Sequence, residues 1–216
     1  MYAIKNNIHQ SSNLLFTLLF CVLILSCQDN DGELVLPEEG DYYPLDESNQ
    51  WEYERIQTYH CDCDDNGLVL SNAFQLHTNR LSDWESGWIL VNDNNYQFSK
   101  VVKKYQSQYT ERPPYRWEYI FLQDNKPINY SWWDTPMNIQ FTVKQVNTNK
   151  NIDGIPYKNV IEIQETQWFT NADTHKTDAS YIAHHFYAKD VGEIYTLQTF
   201  KNGTTIEFTL LKHVKL

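Results

Sequence analysis

The chain has 216 residues, of which 28 are acidic and 17 are lysine or arginine, and its formal net charge is −11 at neutral pH. This charge argues against a nucleic-acid partner, because a protein that binds a polyanion needs a basic surface. The sequence has no Gly-x-Ser-x-Gly or His-Glu-x-x-His motif, and no phosphate-binding glycine loop among its seven glycines. We therefore expect a protein that is not an enzyme.

The first predicted element is a signal peptide. The apolar run from Leu14 to Leu25 is shorter than the roughly 20 residues that span a bilayer. It ends in Ile24-Leu25-Ser26-Cys27, which resembles the lipobox of bacterial lipoproteins. The resemblance implies that residues 1–26 are removed and that acyl chains on Cys27 hold the mature protein on a membrane. An uncleaved anchor helix and an ordinary secretory signal are the alternatives.

Residues 27–41 form a predicted flexible, acidic tether. Six acidic residues and no basic residue lie between Gln28 and Asp41, and Gly32, Pro37 and Gly40 interrupt regular structure. The segment resembles the acidic stretch that follows the acylated cysteine in surface-exported lipoproteins of the Bacteroidota. The resemblance implies a cell-envelope protein and favours the outer membrane, with the choice of leaflet left open. An acidic linker that only adds solubility is the alternative.

Residues 42–216 are predicted to form one β-rich domain. Apolar and polar residues alternate in several segments, as in antiparallel strands with one buried face. Asn202-Gly203 and Asn66-Gly67 predict tight turns, and only Asn72–Trp84 is suited to a short helix. We expect a mainly β fold with at most one short helix, either a single antiparallel β-barrel or a strongly curved half-barrel of about ten strands. The alternating segments centre on Tyr53, Tyr119, Phe141 and Phe208.

Three short segments of this domain form a recognisable pattern: Tyr42-Tyr43-Pro44-Leu45 with Asn49 and Trp51-Glu52-Tyr53, then Gly154 to Ile161, and finally Phe186 to Gly192. They resemble segments of a group of uncharacterised Bacteroidota lipoproteins, in which a glycine stands at the position of Asp190. The resemblance implies a single barrel-like domain without known catalytic residues. It also implies that the turn at Asp190 is less tight in this chain than in the group.

Cys61 and Cys63 are the two cysteines that remain if Cys21 is removed and Cys27 is acylated. In an extended strand their separation is at or beyond the upper limit for a disulfide, so a bridge requires a turn at Asp62. A strained disulfide, two free thiols, and ligation of a metal together with His60 are the three alternatives.

The same segment resembles half of a calcium-binding loop. Asp62, Asp64 and Asn66 place oxygen ligands at alternate positions, and Gly67 follows them. Ala73 occupies the position of the carboxylate that normally completes such a loop. The missing carboxylate favours an ordinary β-turn, with calcium at Asp62, Asp64 and Asn66 as the alternative. We therefore expect no cofactor.

Trp132-Trp133, between Pro127 and Pro136, predicts an aromatic platform for a sugar ring or a peptide. The alternative is that one indole lies in the core, because adjacent residues of a strand face opposite sides. By the same rule His184-His185, the best acid/base candidates, direct their rings to opposite faces and cannot act together.

Three functions are compatible with these features. The first is a membrane-anchored, non-catalytic binding or structural module of the cell envelope, with a protein or glycan partner. The second is a carrier that holds a lipid or another apolar ligand inside the barrel. The third is an enzyme of unknown chemistry. Large aromatic residues on nearly every predicted strand favour a filled interior, and thus the first function.

Overall fold

Strands are the only regular elements in the described part of the chain. The computed structural model describes residues 34–46, 49–61, 64–80, 88–92, 100–113, 117–170, 172, 175 and 177–215. Its strands are β1 (Gln50–Cys61), β2 (Asp64–Arg80), β3 (Trp88–Asn92), β4 (Lys100–Tyr105), β5 (Gln108–Arg112), β6 (Tyr119–Gln123), β7 (Ser131–Asp134), β8 (Ile139–Ile152), β9 (Ile155–Thr170), β10 (Thr177–Ala188), β11 (Gly192–Phe200) and β12 (Thr205–Val214).

The strands form one antiparallel sheet in the order β6-β5-β4-β3-β2-β1-β12-β11-β10-β9-β8-β7. This arrangement confirms the prediction of a mainly β fold with a strongly curved half-barrel. The described strands number twelve, against the predicted ten or so. Residues 72–80 belong to the segment whose sequence is suited to a short helix. They form a strand instead, because they pair with β1 and β3.

The two edge strands, β6 and β7, approach each other without forming a ladder. The indole Nε1 of Trp132 on β7 donates a hydrogen bond to the carbonyl oxygen of Ile120 on β6, at 2.8 Å. The Trp132 ring also stacks on Phe141, with ring centroids 5.4 Å apart. A side chain therefore spans the gap that backbone hydrogen bonds would close in a complete barrel.

The pairing register determines which side chains share the inner face. Directly opposite residues of an antiparallel pair lie on the same face, and His185 lies opposite both Ile163 and Thr196. Thr196 in turn lies opposite Phe208, which lies opposite Arg55. One transverse row of the inner face thus mixes polar and apolar side chains.

One end of the sheet is filled by the segment that precedes β1. We call it the anchor end, and the opposite end, which carries the β1–β2 turn and the Asn202-Gly203 turn, the distal end. Tyr42, Tyr43 and Leu45 are buried there, and the Tyr43 ring contacts a set of four aromatic rings at centroid distances of 5.4 to 6.5 Å. The four are Trp51, Tyr109, Phe121 and Tyr187.

The predicted turns have different outcomes. Gly203 has a φ of +83°, which confirms a turn at Asn202-Gly203. The prediction for Asn66-Gly67 is wrong, because Cys61 pairs with Asp64 and Gly67 lies within β2. A Cβ atom on Gly67 would lie 2.3 Å from the Tyr59 carbonyl oxygen, so a close approach of two strands accounts for that glycine. Asp190 adopts a φ of 61°, the conformation otherwise taken by a glycine.

The twelve strands belong to one compact unit, Val35–Leu216. A search of the described residues for a helix long and apolar enough to cross a bilayer finds none.

Candidate functional site

The segment between Leu36 and Asp41 is fastened to the anchor end of the sheet. The Asn147 side-chain amide donates to the carbonyl oxygen of Leu36 at 2.7 Å, and the Glu38 backbone amide donates to Asn147 Oδ1. Glu38 also pairs with Lys189, at 2.9 Å. Within the described residues, part of the segment predicted as tether is thus hydrogen-bonded to the domain from Leu36 onwards.

Asp41 connects this segment to the domain through both its side chain and its backbone. Its Oδ1 accepts hydrogen bonds from the Tyr109 hydroxyl at 2.8 Å and from the Tyr43 amide at 3.1 Å, and lies 3.3 Å from Lys104 Nζ. Its carbonyl oxygen accepts from the Asp190 amide at 2.6 Å. Burial, with the charge of Asp41, raises the pKa of Tyr109 well above its ordinary value, so this hydroxyl remains a donor. These contacts fix Asp41 against the anchor end of the sheet.

Five ionisable side chains form a connected group on the inner face, which we call the charged belt: Lys100, Glu111, Glu165, His185 and Glu193. His185 lies at its centre. Its Nδ1 is 2.8 Å from Glu193 Oε1, and its Nε2 is 3.1 Å from Glu165 Oε2. Thr196 donates to Glu193 at 2.6 Å, and the Tyr181 hydroxyl donates to Glu165. Both ring nitrogens of His185 are therefore occupied.

This arrangement keeps His185 protonated and its partners ionised. Burial by itself lowers the pKa of His185. The hydrogen bonds to Glu165 and Glu193 outweigh burial and raise the pKa to about 10. Burial raises the pKa of Glu165 and of Glu193, but the hydrogen bond and the charge of His185 outweigh it, and both values lie below the ordinary one. The three groups therefore form an ion triad with a single positive charge between two negative charges.

Lys100 and Glu111 continue the belt on the other side of the inner face. Their Nζ and Oε2 atoms lie 2.6 Å apart, and the Tyr119 hydroxyl lies 3.3 Å from Glu111 Oε1. Burial lowers the pKa of Lys100, but the charges of Glu111 and Glu193 raise it above its ordinary range. Lys100, on this side of the inner face, and the His185 triad on the other are thus joined in one network through the charge of Glu193.

His184, the neighbour of His185, faces the other way. Its Nδ1 lies 2.8 Å from Glu162 Oε1, and its side chain is 37% exposed, against 18% for His185. The prediction that the two rings point to opposite faces is confirmed. The sequence offered no sign of the belt itself, because its members are spread over five strands and only the register unites them.

The clearest exposed apolar surface of the distal end lies on the β1–β2 hairpin. Leu68, Val69 and Leu70 are 61%, 58% and 48% exposed, and the exposure continues through Ala73. We call residues 68–73 the hairpin edge. A run of exposed apolar residues is typical of interaction surfaces.

The two adjacent tryptophans lie in different environments. Trp133 is exposed, whereas Trp132 is half-buried against Phe141 and hydrogen-bonded to Ile120. Only the Trp133 ring is therefore available for stacking, so the structure does not bring the two indoles together as one platform.

Several predicted sites fall outside the described residues. Cys27, Asp62 and Cys63 lie there, and of Cys61, Asp64 and Asn66 the structure describes the strands but not the side chains. The disulfide and the calcium loop thus stay predictions. Within the described ranges, no group of three or more His, Cys, Asp or Glu side chains is placed to hold a metal ion.

A surface cleft of about 380 Å³ lies where the N-terminal segment meets the sheet. Leu36, Pro37 and Gly40 form one wall, and Lys104, Ser107 and Asp124 are on the other. The cleft belongs to the fastening of that segment and adds no separate chemistry.

Comparison with known proteins gives distant structural likenesses only. No family model and no curated protein matches the chain. A Bacteroides fragilis protein described as exported, with a YMCC-like fold, has 10% identity and a TM-score of 0.44, over 82% of this chain and all of its own. A Parabacteroides distasonis protein described as a lipoprotein has 11% identity and a TM-score of 0.39, with the same coverage.

A third solved structure, a DUF1329 family protein of Desulfovibrio piger, has 8% identity and a TM-score of 0.29. It covers 77% of this chain and 85% of its own length. At these values no property of the three proteins is transferred to this chain.

Proposed function

We propose that the protein is a membrane-anchored, non-catalytic binding module of the cell envelope. The observation that carries this proposal is the fastening of Leu36–Asp41 at one end of the sheet, nine residues after Cys27 of the lipobox-like segment. Nine residues span at most roughly 30 Å. The tether therefore keeps the anchor end within about 30 Å of the membrane, whereas the distal end can reach farther from it.

The charged belt disfavours the carrier of an apolar ligand. An acyl chain on the inner face would have to lie against ionised groups, and burying charges without water or polar partners costs several kcal/mol for each ion. Aromatic side chains fill the anchor end of the same face. A filled and charged interior supports a scaffold that acts through its surface.

The geometry of the belt also favours a binding protein over an enzyme. A general base needs a free lone pair at the operating pH, and both nitrogens of His185 are engaged with carboxylates. Glu165 and Glu193 are held ionised by the same contacts, so neither is poised to donate a proton.

Anchoring is tested by metabolic labelling with a fatty-acid analogue. We expect the label in the membrane fraction of the wild type and its loss in Cys27→Ser. Separation of the membranes on a density gradient tests the outer-membrane location. A wild-type chain that carries no label would refute the lipid anchor.

Binding is tested with a photo-crosslinking phenylalanine analogue in intact cells. One variant replaces Phe169, which is exposed near the distal end of β9, and a matched variant replaces Leu211, which is 44% exposed on the internal strand β12. We expect a specific adduct with Phe169 and none with Leu211. Equal labelling, or no adduct at either position, would refute a distal binding surface.

A further inference from the structure

The hairpin edge is one border of β2 that no described strand covers. β1 pairs with β2 from Leu68 to His77, whereas β3 pairs only with Leu76 to Arg80. In an antiparallel strand, every second residue directs both its amide and its carbonyl to the same side. Alternate residues of the hairpin edge therefore present hydrogen-bonding groups to the open side.

The composition of this border differs from that of most natural sheet edges. Exposed edge strands usually carry lysine, proline or a bulge, which prevent pairing with another chain. The hairpin edge reads Leu-Val-Leu-Ser-Asn-Ala and contains none of these residues. Its pairing with β1 runs without a register shift from Gln50 to Tyr59. The border is long, regular and uncharged.

The hairpin is also held in place at the distal end. The His60 ring packs against Gly203, where an added Cβ atom would lie 3.2 Å from it. Gly67 allows β1 and β2 to approach closely at Tyr59. An edge that is already ordered has less conformational entropy to lose when a partner binds.

We infer that the hairpin edge is the docking site for an extended segment of a partner protein, which adds a strand beside β2. This inference rests on the proposed function and names the partner's chemistry. The exposed backbone groups repeat at the spacing of a β-strand, and only a polypeptide in extended conformation matches them. The apolar side chains at Leu68, Val69 and Leu70 select a segment that carries apolar residues on both faces.

A second copy of the chain is a poor occupant. Two identical edges related by a two-fold axis pair antiparallel, which directs the two anchor ends in opposite directions. β2 has 17 residues and is about 55 Å long, whereas the tether keeps each anchor end within roughly 30 Å of the lipid. The net charge of −11 opposes self-association as well.

A displayed library of short random peptides, selected on the full-length protein, tests the inference. We expect peptides with apolar residues at successive positions, and thus on both faces of the strand, whose affinity falls by at least about tenfold in Val69→Lys and Leu70→Lys, because lysine blocks edge pairing. Leu211→Lys is the matched control, since Leu211 is similarly exposed on an internal strand. Hydrogen exchange should slow at alternate amides of residues 68–73 when the peptide binds.

Each other outcome contradicts the inference. A library without binders that distinguish Val69→Lys from Leu211→Lys overturns it, as does amide protection elsewhere in the chain. A dimer in sedimentation that Val69→Lys dissolves would assign the edge to a second copy instead. If the Phe169 adduct forms while the edge binds no peptide, the proposed function stands and only this inference fails.

Discussion

The charged belt and the hairpin edge reverse the usual distribution of polarity. The belt places five ionisable side chains on the inner face, with both His185 and its partners mostly buried, whereas the hairpin edge exposes three consecutive apolar residues. Charges are tolerated inside because each has a partner at hydrogen-bonding distance. The difference teaches that the belt is satisfied within the molecule, while on our inference the hairpin edge is completed by a partner.

The largest expected effect comes from removing the centre of the belt. His185→Ala leaves Glu165 and Glu193 buried without the cation that they share, and we expect the free energy of unfolding to fall by about 3–5 kcal/mol. Chemical denaturation measures the change. His184→Ala, on the outer face, should cost less than about 1 kcal/mol. Equal losses of stability in the two variants would contradict the account of His185 as the buried cation that holds Glu165 and Glu193.

A second variant separates charge from packing in the same group. Replacing Glu165, His185 and Glu193 together by leucine should restore most of the stability that His185→Ala loses, because apolar residues of similar volume avoid the cost of burying charge. A triple variant that is even less stable than His185→Ala would contradict this account.

The next largest effect concerns the gap between β6 and β7. Trp132→Ala removes the stacking on Phe141 and the hydrogen bond to Ile120, and we expect a loss of about 2–4 kcal/mol. Trp133→Ala should change stability by less than about 0.5 kcal/mol. Thermal unfolding compares the two. If stability falls equally, the exposed Trp133 also has a packing role, and its use as a sugar-stacking ring becomes implausible.

The pH dependence of stability should also report the belt. His185 has a pKa of about 10 in the folded protein and an ordinary value of 6.5. Its contribution is complete below pH 6.5 and is lost as the pH rises towards 10, with a slope of up to about 1.4 kcal/mol per pH unit. Glu165 and Glu193, whose pKa values are lowered, lose theirs as the pH falls through the range where they take up protons. His185→Gln should flatten the alkaline slope, and an unchanged slope would contradict the protonated triad.

The smallest effect is expected at the hairpin edge. Val69→Lys should alter the free energy of unfolding by less than about 0.5 kcal/mol, because the side chain is 58% exposed. Chemical denaturation of Val69→Lys and His185→Ala side by side compares the contribution of the hairpin edge to stability with that of the charged belt. A large loss at Val69 would mean that the edge is a structural element of the folded chain.

Much of the fold follows from alternation in the sequence. It placed Tyr53 and Phe141 on strands, where the structure buries both, and Asn202-Gly203 at a turn. It failed at Asn66-Gly67, since local turn preference was overridden by the close approach of β1 and β2. Alternation could not predict the charged belt. The contact of His185 with Glu193 depends on a register shift between Phe186 and Tyr187, and strand alternation does not specify such a shift.

The course of β1 has a mechanical consequence. This strand runs from the anchor end to the distal end, with β2 on one side and β12 on the other. A force between the membrane and a molecule held at the distal hairpin would act along the strand, while its hydrogen bonds lie across it. Such a load shears the two ladders as a whole instead of opening them one bond at a time, so β1 should resist tension along its own axis better than tension across it.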